Sequence, residues 1–246
     1  MLVSIIAARG AALAFVSVTD FGAVGDGSDA TAAIQAAINS LGSNSDTVYI
    51  PAGTYVISAP IVINNTRGIR IVGDGMYATK LQPTAAVANQ AVLHFVNDID
   101  DSVESLSIFG LTGNAPAAGI QTESVAGNFA THLTVSDVEI GSTTPNSIVD
   151  GIKFSAATAS ADFNNELGMF ENVVITNFSH SGYSFLHSNA LCHTIIGGTI
   201  ANGPIGVFTA TGSFKMVGTH LQNLSDVDFD FENRFTPAKS TSTPSR

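Results

Sequence analysis

Residues 18–29 read VTDFGAVGDGSD and residues 48–58 read VYIPAGTYVIS, with an Ala/Ile-rich stretch between them. That stretch carries the one clear helical period. Asp29 is a good N-cap, Ile34, Ala37, Ile38 and Leu41 share a face, and Gly42 supplies a stop, which predicts a helix over about 29–41. Upstream, Gly22, Gly25 and Gly27 with Asp20 and Asp26 make a turn-rich loop. Downstream the apolar period falls to two. Val48, Ile50, Tyr55, Ile57, Ile61 and Ile63 mark short strands, broken at Pro51-Ala52-Gly53 and at Pro60.

Beyond the first strands the chain repeats itself weakly. IRIVGDG (69–75), VESLSIFG (103–110), LTVSDVEIG (133–141), ENVVITNF (171–178), TIIGGTIANG (194–203) and FKMVGTHLQN (214–223) each alternate apolar residues, with Gly or Asn near the end. Between them lies a second set: VLHFV (92–96), GIQTE (119–123), GIKFS (151–155), GYSFL (182–186) and IGVFT (205–209). Anchored on Ile71, Ile108, Ile140, Ile175, Ile200 and Leu221, the period runs from 21 to 37 residues, each anchor less the one before it. A solenoid coil takes roughly 20–30 residues, and longer steps mean insertions on one side. A sandwich, with strands roughly every 8–12 residues, fits this pairing of strand families less well.

The opening and its continuation into IRIVGDG closely resemble the start of pectate-lyase-superfamily β-helices, a group that includes phage tailspikes and polysaccharide-degrading enzymes. The match is dense over 18–75 and holds at the level of coil pattern to about residue 233. The resemblance implies an all-β, right-handed parallel β-helix with a short N-terminal capping helix. It implies little about activity, because one fold hosts many functions. Physics agrees on the cap: the first coil of a solenoid exposes its apolar interior, and the Ile34/Ala37/Ile38/Leu41 stripe suits a lid. The glycine-rich loop is therefore structural, with no P-loop lysine beside it. The division expected is an extended segment at 1–17, a β-helix domain at 18–233 and a tail at 234–246.

The 246 residues carry a net charge of −11, with only nine Lys and Arg spread along the chain. A nucleic-acid partner is excluded on charge. An anionic polysaccharide would be repelled as well, unless a divalent cation such as Ca2+ bridged the two. No other cofactor is expected. Residues 2–18 are apolar but broken by Arg9 and Gly10, so no membrane span is predicted. Ala11–Val16 is short for a signal core and its basic start is weak, so residues 1–17 are read as packing on the fold or on a partner. The run from Thr236 to Arg246, with Pro237, Pro244 and Ser/Thr between, reads as a surface extension. Cys192, the single cysteine, excludes an internal disulfide and reads as a small buried hydrophobe.

Glycoside hydrolysis needs two carboxyl groups roughly 5–9 Å apart, in opposite protonation states. The best local candidates are Asp98, Asp100, Asp101 and Glu104, followed by Asp150, Asp162, Glu166 and Glu171. An acidic solvated loop explains the same residues without chemistry. Motifs that the resemblance leads one to expect of polygalacturonases (Asn-Thr-Asp, Gly-His-Gly, Arg-Ile-Lys) do not occur. The cationic base expected of pectate lyases has few candidates, with Lys153 and Lys215 alone on the later coils and no Arg between Arg70 and Arg234. His180, His187 and His193 read as polar turn positions rather than metal ligands. With no Trp and only four Tyr, an elaborate sugar cleft is weakly supported, and the fifteen Phe suit internal stacks.

The expectation is a non-catalytic or weakly catalytic surface β-helix of phage tailspike or decoration type, on a virion surface or extracellular. It would be a homotrimer, mounted on other virion or surface proteins, structural and glycan-binding. The alternative is a polysaccharide lyase or glycoside hydrolase of the same superfamily.

Overall fold

The computed structural model describes residues 15–41, 46–110, 115–125, 128–156, 164–187 and 189–231. Residues 1–14, Gly42, Asp162 and the tail at 234–246 lie outside them. The chain leads in through β1 (Phe15–Ser17), a 3-10 turn (Val18–Phe21) and β2 (Asp26–Asp29), then forms α1 (Thr31–Ser40). The first full coil is β3 (Thr47–Ile50), β4 (Gly53–Ile57) and β5 (Ile61–Asn64). The second is β6 (Arg70–Gly73), β7 (Thr79–Pro83) and β8 (Ala91–Val96). The third is β9 (Ser102–Phe109), β10 (Ala118–Ser124) and β11 (Phe129–Thr131). The fourth is β12 (Thr134–Gly141), β13 (Ile148–Ala156) and β14 (Asn164–Glu166). The fifth holds β15 (Met169–Glu171), β16 (Val174–Thr176), β17 (Phe178–Phe185) and β18 (Ala190–Leu191). β19 (His193–Ile196) with β20 (Thr199–Thr209), then β21 (Phe214–Val217) with β22 (His220–Phe231), continue the winding to the last described residue.

Each strand pairs in parallel with its counterpart one coil away, so the molecule is a parallel β-helix. One side stacks β1, β3, β6, the starts of β9 and β12, β15, β19 and β21. A short side stacks Arg67, Ile99, β11, β14 and β18. The strands are too short to form a core alone, and stacking supplies it.

Inward residues form columns. Tyr55, Leu81, Ile108, Ile140, Ile175, Ile200 and Leu221 are in register. Ile71, expected to anchor this column, belongs to the neighbouring one, with Val48, Val103, Val135, Phe170, Ile195 and Met216. The two columns look alike in sequence because both alternate on one apolar period. Buried Ile, Leu and Phe side chains contribute about 1.5–3 kcal/mol each. The phenylalanines stack as expected: Phe154 on Phe185 at 4.5 Å, and Phe185 on Phe214 at 5.4 Å.

Corners repeat too. Gly68, Asp100, His132, Leu167 and Cys192 occupy equivalent turn positions, all with φ between 59° and 75°. Cys192 is therefore exposed, which corrects its reading as a buried hydrophobe: the corner points it outward. His193, next in sequence, is buried rather than at a polar turn, and His187 is buried too.

The lid forms as expected. Ile34, Ala37 and Ile38 are buried on α1, and Leu41 packs against the core. The N-cap is Ala30 rather than Asp29. Asp29 ends β2, and its Oδ1 reaches forward to accept the Thr31 N–H at 3.0 Å and the Thr31 hydroxyl at 2.6 Å. It serves the first turn from one residue further out.

Candidate functional site

The structure separates the nominated acids. Asp98 and Asp101 turn inward at the short side, and both are fully buried. Asp101 accepts the Ile69 N–H at 2.7 Å on Oδ1 and the Thr66 hydroxyl on Oδ2. Asp98 Oδ1 accepts the Thr122 hydroxyl at 3.2 Å. Burial, with Asp101 alongside, pushes the Asp98 carboxyl up to about 7, and burial pushes Asp101 up to about 6. At zero exposure neither reaches a substrate in this conformation.

The other described candidates lie apart, Asp150 buried and the rest part-exposed or exposed. Asp100 sits on the exposed corner, 3.6 Å from His132 Nδ1. Glu104 accepts from Arg70 at 2.9 Å, and that guanidinium holds its carboxyl below the usual range. The pair is part-exposed and contributes about 0–1 kcal/mol. Glu166 accepts from Asn164 Nδ2 at 3.2 Å on the short side, and Glu171 is exposed on β15. Asp150, where β13 and β17 shift register, accepts from His180 Nδ1 at 2.6 Å and from the Ser181 hydroxyl at 2.8 Å. The hydrogen bond to Asp150 raises the His180 pKa. Among the described candidates only Asp98 and Asp101 are brought together inside the fold. Among the described residues no group of three or more His, Cys, Asp or Glu is placed to hold a metal ion.

A different feature occupies the surface. Three depressions of about 420, 450 and 360 Å3 run from α1 along the corner after β5 to β11. The first two share Gln35, and the last two share Asn65 and Thr66, so they form one trough. Its walls carry Gln35, Asn39, Asn64, Asn65, Asn97 and Asn128. Arg67 and Phe129 close the far end, with Phe129 49% exposed. Asn97 Nδ2 donates to Asn65 Oδ1 at 3.2 Å across coils, and Asn97 Oδ1 accepts the Val125 N–H at 2.8 Å. Thr66 joins the trough to the buried acids through its hydroxyl. The sequence reading missed this trough. Its one local signal was Asn64-Asn65-Thr66 after a strand, whose partners lie about 30 residues away in sequence.

The coil architecture places the protein among the parallel β-helices of pectate-lyase-like kind. The chain belongs to the family described as rhamnogalacturonase A/epimerase, pectate lyase-like, whose model matches residues 15–210. Comparison with curated proteins gave no match. Among solved structures it resembles the pre-mature gene product 12 of bacteriophage phi29, at 14% identity and a TM-score of 0.52 over 87% of this chain and 33% of that one. ORF18 of Geobacillus virus E2 matches at 18% identity and a TM-score of 0.42, over 87% of this chain and 61% of that one. A putative glycosyl hydrolase from Parabacteroides merdae matches at 14% identity and a TM-score of 0.49, over 87% and 95%. The chain thus spans less than two thirds of either phage protein. What is shared at these identities is the fold. No helix among the described residues is long and apolar enough to cross a membrane.

Proposed function

We propose that the chain is a surface β-helix of phage tailspike or decoration type that binds glycan along the amide-lined trough and catalyses little or nothing. The trough is the observation that carries this reading. Gln35 and Asn97 are held by bonds within the protein, and Asn39, Asn64 and Asn128 are the carboxamides left to present donors or acceptors to sugar hydroxyls. Phe129 adds an apolar face, and the length across three depressions suits several sugar units rather than one. The scatter of the acids supports the absence of turnover, since hydrolysis needs two carboxyl groups facing one bond.

The protein in this reading is a homotrimer on a virion or cell surface, mounted on other surface proteins. Calcium enters only as a bridge between the acidic chain and an anionic glycan. Light scattering tests the assembly against the 25.3 kDa monomer: a trimer is expected, and a clean monomer overturns that part. A glycan array, run with and without calcium, tests the trough. Saturable binding without released product is expected, and no binding to any glycan contradicts the reading.

A lyase or hydrolase remains the second reading, favoured by one observation. Asp98 and Asp101 are two carboxyls brought together, both raised by burial, and catalysis would require their corner to open to the substrate. It predicts turnover that is abolished by Asp101→Asn.

A further inference from the structure

Where the short side turns into the next coil, two carboxyl groups lie in the interior. Asp101 is fully engaged by Thr66 and Ile69. Asp98 is not: its Oδ2 is buried and has no hydrogen-bond partner among the described residues. The Ser124 hydroxyl, one residue past the Glu123–Val96 pairing, is a second buried oxygen in that condition. An ionised carboxylate with a bare oxygen, beside another carboxylate, is costly in such a place. Only these two carboxyls converge here, and among the described residues no group of three or more His, Cys, Asp or Glu could hold a cation. A proton is the remedy that needs no further group.

We propose that Asp98 and Asp101 form a proton-holding pair that fixes the corner at Thr66–Ile69, and that losing this proton above neutral pH loosens the trough. The proton resides on Asp98, whose Oδ2 is uncommitted. Once ionised, Asp98 repels the carboxylate that clasps the Thr66 hydroxyl and the Ile69 N–H. Thr66 also accepts the Ile99 N–H at 3.1 Å and lines two of the three depressions, so a change at Asp101 reaches the surface in one residue.

The other charged groups nearby are turned elsewhere. Arg67 on the same corner is exposed. Glu123 on β10 binds His94 Nε2 at 2.8 Å. His132 beyond β11 lies outside with Asp100, and Glu166 on β14 is bound to Asn164. The charges that bear on the pair come from its own turn, Asp101 on Asp98 and Asp100 on Asp101.

The sign follows from the raised values. In the unfolded chain both carboxyls ionise near about 3.9, while the folded protein keeps its protons to about 6 and about 7. Their contribution to stability is full below about pH 4 and is lost as pH rises through about 7.

The test uses the ligand-free protein: 13C titration of the Asp carboxyls, and exchange of the Thr66–Ile69 amides corrected for intrinsic pH dependence. One Asp carboxyl titrating above pH 6, with several-fold faster exchange above pH 7, is expected. In Asp98→Asn, which mimics the protonated acid, the exchange should not respond to pH. Every Asp titrating below pH 5, or the same response in the variant, overturns the proposal. If the variant does not fold, the wild-type titration and exchange still decide. The link to ligand rests on the glycan reading, whereas these measurements contain no glycan and fail or succeed apart from it.

Discussion

Gln35 completes the edge of the sheet at Val62. Its Oε1 accepts the Val62 N–H at 2.8 Å, and its Nε2 donates to the Val62 carbonyl at 2.9 Å. Among the described residues β5 pairs with β8 on one side only, and no strand pairs with its other edge. The carboxamide on α1 stands in for a strand there, and Asn39 Oδ1 steadies it by accepting from Nε2 at 2.9 Å. The cap thus covers an edge as well as an apolar end.

Gln35→Leu keeps the helix and removes both bonds. A loss of about 0.5–1.5 kcal/mol is expected, read by urea unfolding, because two solvent-accessible backbone groups exchange the amide for water. Unchanged stability would show that water replaces the amide at no cost.

Gly151 is small because of close approach, not backbone conformation. A Cβ there would stand 2.5 Å from Ile175 Cγ2 and 2.5 Å from the Gly182 carbonyl oxygen. Gly119 meets Ile140 and Gly182 meets Ile200 in the same way. Gly151→Ala should cost about 1–3 kcal/mol, and the penalty should shrink in an Ile175→Ala background. Additive losses in the double-mutant cycle would contradict this packing.

Leu167 holds a left-handed corner at φ 61° while 45% exposed. Equivalent corners use Gly68 and Asp100, residues that tolerate the conformation better. Leu167→Asn should raise stability by about 1 kcal/mol, measured as a higher urea midpoint at unchanged slope. A lower midpoint would mean that the leucine side chain contributes more than its backbone costs.

His193 titrates against the acid pair. Its Nδ1 accepts the Gly168 N–H at 3.1 Å, so Nε2 carries the proton donated to the Asn165 carbonyl at 3.0 Å. Burial among Phe154 and Phe185 lowers its pKa to about 4. The unfolded imidazole protonates near about 6.5, so this contribution is present above that pH and is lost as pH falls through about 4. The loss is on the order of 3 kcal/mol. The acid pair changes in the opposite sense over the same range, so the effect is read as a difference: from pH 7 to pH 4 the wild type should lose that much stability relative to His193→Gln. The same pH dependence in both proteins would place the cause elsewhere.

The fold was legible because VTDFGAVGDGSD, the Ala/Ile helix and the alternating strands each act locally. Ile108, Ile140, Ile175, Ile200 and Leu221 were recognisable as one column, since each repeats the same short pattern. Ile71 was misplaced because β9 and β12 each run through a corner, fusing two sides that earlier coils keep apart. The acids show the harder limit. Asp98, Asp100 and Asp101 are neighbours in sequence, yet the left-handed corner at Asp100 sends the first and last inward and the middle one out. The trough was invisible for a related reason: Asn65 and Asn97 meet only when two coils stack.

Glycan binding along the trough is the central claim, and calorimetry on the first oligosaccharide to bind tests it most directly. The wild type should bind saturably with no product by mass spectrometry. Phe129→Ala and Arg67→Ala should each weaken binding about tenfold, or about 1.4 kcal/mol, while Glu171→Gln leaves it unchanged. Affinity indifferent to both trough substitutions, or cleaved glycan in the cell, would contradict the account.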